Sequence, residues 1–471
     1  MPLIFPSNTL SDAGYDVENS VRLDDDAYMH KTQSGGNRQI FTMSCWTKLT
    51  GEYGGTGGSL LSTDGTDDDS NFHFGVDNGG GSGGATDSLF LHIYGADGFT
   101  TAPLLRDYSA WYHIVLAVDT TQTISANRMK LYVNNVQITL AEGGDYPAQD
   151  DNFGVNESGT VLGVGTHPGA VAGYALNSYL AEYCLIDGLQ LTPSSFGEAN
   201  SDSPTIWQPI DPSDLTFGTN GFYLDFKDSA NLGNDANGGT DFTETNLDAT
   251  DQATDTSTNN FAVMNNLIPD VSNITYSEGN LLITQSTGAW VKATSTFGMS
   301  AGKWYWEAKW VTDGSGTGSW LIVGVDNNTT ASTTSGYTST SVGWKRNGDL
   351  SVGGVAQSAI SAYVQDDILS VALDMDNDAV YFAKNGTWEN SGDPTSGATK
   401  TGAYTLPVAN STYFATISPY DTSVAGMNFG GCPSFAISSS NADADGYGNM
   451  EYAVPSGYYT LCSKNLGAYG G

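Results

Sequence analysis

The chain is short of positive charge: its 471 residues carry 16 Lys and Arg against 52 Asp and Glu, a formal charge of −36. Such a field repels a phosphate backbone from every approach, so no direct contact with nucleic acid is expected. Cysteine is scarce as well. Cys45, Cys184, Cys432 and Cys462 are too few for a disulfide framework and too scattered for a CxxC metal or redox motif, which leaves buried free thiols as the expectation. No run approaches the ~18 apolar residues of a membrane-spanning helix, and Met1 to Leu10 places no basic residue ahead of an apolar core. Neither membrane insertion nor a secretory leader is expected. Long stretches rich in Ala, Leu, Glu and Lys are also missing, so the chain offers little to an extended helix.

What is present is the material of β-structure. Gly is abundant, at 58 residues, while 39% of the chain is hydrophobic and 11% aromatic, enough to build cores between many turns. Ser, Thr, Asn and Gly punctuate short runs of Val, Ile, Tyr, Phe and Trp. At roughly 150 residues per domain, the length allows two or three folded units.

In the first part, Tyr112, Ile114, Leu116 and Val118 alternate with Trp111, His113, Val115 and Ala117. Both faces are largely apolar, which predicts a strand lying between two layers. Met129, Leu131 and Val133 follow on one face of a second strand, and Asn134-Asn135 predicts a tight turn into Val136–Ile138. Ile40 to Thr47, Phe72 to Val76, Leu89 to Tyr94 and Tyr179 to Ile186 supply further strands. Later, Trp304, Trp306, Ala308 and Trp310 share one face of a strand while Tyr305, Glu307 and Lys309 share the other, so the aromatic face is expected to be core. Leu369, Val371, Leu373 and Met375 repeat the pattern before a turn at Asn377-Asp378 and a return through Val380 and Phe382 to Asn385-Gly386, a strong hairpin signal.

The segments "WYHIVLAVDTT", "NRMKLYVNNVQI" and "SYLAEYCLIDGLQLTPSSFGE" resemble the laminin-G or concanavalin A-like sandwich found in many phage structural proteins. The segments "GKWYWEAKW", "WLIVGVD", "SVGWKRNGDL" and "DDILSVALDMDNDAVYFAKNGTW" are similar to the SPRY family, whose bent sandwiches bind protein ligands through loops and are not enzymes. The closing "MEYAVPSGYYTLCSKNL" resembles the tail that follows SPRY-like units in phage proteins. The expected fold is all-β: two antiparallel β-sandwiches, a concanavalin A-like jelly roll over 1–206 and a SPRY-like bent sandwich over 271–437. An extended linker over 207–270 joins them, and a tail over 438–471 packs on the second sandwich. Within the linker, Asp248 to Asn260 has the most linker-like composition.

Candidate chemistry is sparse. A glycosidase on this sandwich needs two carboxylates flanking a sugar bond; the ExDxxE spacing is absent, and Glu182 and Asp187, the nearest pair, fall on opposite faces of a regular strand. "DMDNDA" from Asp374 opens like a calcium loop but has Ala379 where Gly is needed and Asn385 where the bidentate Glu should stand; solvated turn carboxylates are expected there. Asp64, Asp67 and Asp69 lie in a Gly-flanked loop and are the candidate calcium ligands. The histidines form no HxH or HExxH grouping, and His113 is expected to pack or hydrogen-bond within its strand. No catalytic residue and no organic cofactor is expected. The aromatics Tyr337, Trp344, Trp388 and Tyr420 are the candidate ligand-binding residues.

The expectation for function is a non-enzymatic bacteriophage virion protein, made in the host cytoplasm and displayed on the particle surface. The preferred place is a tail fibre or tail tip. It would be a homo-oligomer within a symmetric assembly, touching other virion proteins and a host-surface carbohydrate or protein. The alternatives are a capsid-decorating cement protein and a polysaccharide-degrading enzyme.

Overall fold

Alternation of apolar residues dictates the architecture. The structure, a computed structural model, describes residues 14–470 except 25, 65–70, 80–83, 94–95, 141–145, 268–272, 315–319 and 330–336. It divides into two compact units that meet in sequence at Thr258 and Asn259. Among the described residues no helix is long and apolar enough to cross a membrane.

The first unit is a sandwich of two antiparallel sheets. In one, Ile40–Tyr53 is flanked by Tyr112–Asp119 and Leu176–Asp187, with Met129–Val133 and Val136–Ile138 extending one edge and Ser20–Leu23 and Gln252–Ala253 the other. The other sheet is built around Val161–Val164, Gly57–Asp64 and Phe72–Asp77. Phe41, Met43, Ile114, Leu116 and Leu185 face Leu61, Phe72, Phe74 and Val76 across a closed core. The expected turn at Asn134-Asn135 is formed, with φ of 48° and 66°, the left-handed values a two-residue hairpin needs.

Both faces of Tyr112–Asp119 are covered, as its two apolar faces predict. Val115 joins Cys184, Ile186, Phe196, Phe217 and Tyr223 in a second apolar cluster. His113 lies there too: Trp207 Nε1 donates to its Nδ1 at 2.9 Å, and its Nε2 lies 2.9 Å from Ser44 Oγ. Burial pulls its pKa down to about 3, so the ring is a neutral packing element.

The expected linker is largely part of this first unit. Phe222–Leu224 pairs with Leu176–Asp187, Thr243–Thr245 with Tyr28–Thr32, and Gln252–Ala253 with Ser20–Leu23. Phe222, Leu224 and Phe226 belong to the unit's core. Within the stretch that looked most linker-like, Asp255 is buried and ion-paired with Lys48 at 2.7 Å. Polar composition misled because buried polar side chains such as Asp255 and Thr258 find their partners inside the fold.

The second unit is also a two-sheet antiparallel sandwich, the architecture expected of it. Lys303–Thr312 sits between Ile368–Asp374 and Val424–Asn428 in one sheet. In the other, Trp320–Asp326 sits between Tyr413–Tyr420 and Ser341–Lys345. Trp304, Trp306, Ala308 and Trp310 face the core with Leu321, Val323, Leu369 and Val371, and the Asn385-Gly386 turn has φ of 47° and 77°.

The opposite face of Lys303–Thr312 is not open to solvent. Tyr305 packs with Tyr381, Met450 and Tyr458, and the closing residues reach the same sheet through Tyr459–Thr460, which runs parallel to Lys303–Thr312. A short helix, Ser463–Tyr469, follows. Asp374 departs from expectation as well: it is fully buried, with Lys303 Nζ at 3.0 Å and Asn377 N donating at 3.1 Å. It is an internal fastener of the turn, not a solvated carboxylate.

Candidate functional site

The first unit carries an open, polar cleft of about 620 Å³. Its floor is Asp187, where Leu176–Asp187 ends. Backbone bonds pin this point: Asp187 N donates to Phe217 O at 2.8 Å and Gly188 N to Ile40 O at 2.9 Å. The carboxylate faces a ring of neutral donors. Asn37 N reaches one oxygen at 2.8 Å and Asn156 Nδ2 the same oxygen at 3.1 Å; Asn220 N reaches the other at 3.1 Å.

Two glycines make this approach feasible. A Cβ on Gly36 would collide with the Asp187 carboxylate and the Asn220 amide, and one on Gly218, at φ 80°, would collide with the Asp187 backbone. Glycine's missing side chain lets both loops close over the acid. The walls are Asn37, Gln39, Asn152 and Thr219, with Arg38 beside them. Arg38 is occupied, its Nη1 2.7 Å from Glu157 and its Nε donating to Phe153 O at 2.6 Å. The cleft therefore joins one carboxylate acceptor to amide and hydroxyl groups, a set that complements a ligand rich in hydroxyls.

Glu182 lies elsewhere. A bulge between Ala181 and Cys184 interrupts the strand, and Glu182 sits in it at φ 48°. Its carboxyl accepts from Tyr223 Oη at 2.7 Å and Tyr15 Oη at 3.3 Å. Burial raises its pKa to about 7, against the opposing pull of the two tyrosine bonds. Such a value suits a general acid, but the residue is only 5% exposed and capped by both phenols. Tyr183 and Leu185 point to the sandwich core while Cys184 and Ile186 point away, so Asp187 falls on the core side and Glu182, bonded to Tyr223, on the other. The two carboxylates do not share a groove.

The other candidates disperse. Asp64 is exposed at the end of Gly57–Asp64, and Asp67 and Asp69 lie outside the described residues. Among the described residues no three His, Cys, Asp or Glu side chains are grouped to hold a metal ion. Trp344 is a correction: it is fully buried, its ring 5.0 Å from Tyr363 and its Nε1 donating to Ser361 O at 3.0 Å. The alternation of Ser341–Lys345 turns it inward with Val342. Tyr337 is half-buried and donates to Asp349 O at 3.0 Å; Trp388 is half-buried beside Tyr381. Tyr420 is half-buried and packs with Trp290 at 4.9 Å. Reading the sequence missed the Asp187 cleft, and the signal available was Asp187-Gly188 at a strand end.

Residues 22–171 match the family model described as the concanavalin A-like lectin/glucanases superfamily, and residues 303–431 match that of the SPRY domain. The chain thus carries both domain types. No curated protein matches it. Among solved structures, the SPRY domain of human HERC1 is 18% identical over 35% of this chain and 94% of that one, with a TM-score of 0.28. A carbohydrate binding protein from Bacteroides ovatus, described as putative in its name, is 17% identical over 50% of this chain and 61% of that one, at TM-score 0.36. A heptameric SAP-like pentraxin from Limulus polyphemus is 14% identical over 38% and 80%, at TM-score 0.28. These structural similarities are too low to carry an inference about function.

Proposed function

We propose that this chain is a non-enzymatic structural protein on the surface of a bacteriophage particle, in a tail fibre or tail tip, and that its first unit recognises a host-surface glycan. The observation that carries the recognition is the Asp187 cleft. It is open, its one lining cation, Arg38, is paired with Glu157, and it is floored by a single carboxylate whose described partners are all N–H donors. A sugar hydroxyl can donate to the carboxylate and accept from the surrounding amides. The family described for residues 22–171 includes lectins. Placement on a virion is supported by the resemblance of the joined sandwiches and closing segment to phage proteins. Repeated display in a symmetric assembly converts weak single sites into avidity.

The test is a glycan-array measurement on the purified chain, paired with gold labelling of intact particles. Binding of an envelope polysaccharide without new reducing ends, lost when Thr219→Trp fills the cleft, is the expected result, with label on the tail. New reducing ends would establish the polysaccharide-degrading alternative, since the same family description names glucanases. Label on the head, with normal adsorption but fragile particles when the protein is missing, would establish the cement alternative.

A further inference from the structure

The second unit presents an aromatic and cationic surface that the cleft does not use. In Trp320–Asp326, Leu321, Val323 and Val325 point into the core, so Trp320 and Ile322 lie on the opposite face, where Ile322 is covered and Trp320 is half-buried. The register places Tyr420 opposite Trp320 and Lys345 opposite Ile322. Trp290 closes the group, its ring 4.9 Å from Tyr420. Lys345 Nζ lies 4.3 Å from the centroid of Trp320 and 5.5 Å from that of Trp290. Trp290, Trp320, Lys345 and Tyr420 are all half-buried, with part of each side chain reaching solvent.

Lys48, Lys227, Lys292, Lys303 and Lys309 each meet a carboxylate, as expected where acids outnumber bases. Lys345 makes no ion pair among the described residues; its ammonium is held by two indole faces instead. Arg346 beside it stacks 5.3 Å from Trp320 and is ion-paired with Asp313 at 3.3 Å. Between Gly314 and Gly348 the sequence has one acid, Asp326, fully buried against Lys292 at 2.7 Å. Just outside that stretch, Asp313 is the partner of Arg346, Asp349 lies past the Gly348 turn and Asp421 follows Tyr420. A cation fixed by aromatic faces, without an ion pair among the described residues and beside further aromatic surface, complements an anion attached to a flat, C–H-rich ring.

We propose that Trp290, Trp320, Tyr420 and Lys345 form a second binding site, for an acidic polysaccharide. A pyranose ring stacks on the Trp290 and Tyr420 side while its carboxylate pairs with Lys345. The site is independent of the Asp187 cleft and does not require the first unit to bind glycans.

The experiment titrates the full chain with an alginate hexasaccharide, with neutral cellohexaose and with a hexaglutamate peptide, by calorimetry and tryptophan fluorescence. Alginate should bind, and cellohexaose should bind at least about tenfold more weakly. Lys345→Met keeps the aliphatic packing and Tyr420→Ala removes part of the platform; each should weaken alginate binding about tenfold or more. Thr219→Trp, in the cleft, should leave it unchanged. Far-UV circular dichroism of each variant separates loss of the site from loss of the fold. The proposal is overturned if alginate fails to bind, if cellohexaose binds equally, if hexaglutamate binds more tightly, or if folded Lys345→Met and Tyr420→Ala bind as the parent does.

Discussion

The ammonium of Lys48 lies 2.7 Å from the carboxylate of Asp255, 207 residues further along the chain, with both side chains buried. Asp255 also accepts from Trp111 Nε1 at 3.0 Å, and its backbone carbonyl accepts from Ser20 Oγ at 2.6 Å. Burial pulls the Lys48 pKa down while Asp255 pulls it up, burial being the larger effect. The pair thus fastens the end of the first unit to its central strand, more by the penalty for breaking it than by net attraction.

Removing one partner leaves the other charge stranded. Asp255→Ala is expected to destabilise the first unit by about 3–5 kcal/mol. Urea unfolding monitored by a probe in that unit measures it, and a loss under about 1 kcal/mol would mean that water reaches the pair.

Glu182 gives a pH dependence of defined sign. Its folded pKa of about 7 exceeds the ordinary 4.5. Between those values the folded chain holds a proton that the unfolded chain has released, so this group's contribution falls as pH rises through the window. At most the loss is about 3 kcal/mol. Glu182→Gln, which stays neutral, should lack this loss, so the variant should gain on the parent between pH 5 and 8. Parallel pH–stability curves for the two proteins would refute it.

Glu307 anchors the closing segment. Its carboxylate accepts from Glu451 N at 2.9 Å, Tyr452 N at 2.8 Å and Tyr305 Oη at 2.9 Å. Glu307→Ala leaves these buried donors unmatched and should cost about 3 kcal/mol or more. Amide exchange at Glu451 and Tyr452 should accelerate most; a uniform change along the chain would speak against anchoring.

The four cysteines are free and buried. Burial pushes the Cys462 thiol up to about 12 and Cys45 higher still, which withholds the reactive thiolate. Ellman's reagent should label none of them in the native protein and four after denaturation. Reducing agent should leave the unfolding midpoint unmoved.

Much of the fold was legible because alternation is a local signal. A strand such as Tyr112–Asp119 or Lys303–Thr312 shows which residues turn inward without reference to its neighbours. Asn134-Asn135 and Asn385-Gly386 mark their hairpins because few residues tolerate positive φ. Little of the candidate site was legible. Asp187 meets Asn37, Asn156 and Asn220 from loops far apart in sequence, and no spacing rule connects them. Trp344 was misplaced because an aromatic near a loop reads the same from sequence whether its strand turns it inward or outward.

The amino-acid order by itself determined the strands, the tight turns and the apolar cores of two sandwiches, since period-two burial and turn stereochemistry act over a few residues. Tertiary structure alone decided that 207–258 is largely body rather than linker, that Glu307 lies beneath the closing segment, and that Asp187 floors a cleft. Those outcomes depend on which distant polar group satisfies which buried one, and only the folded chain sets that pairing.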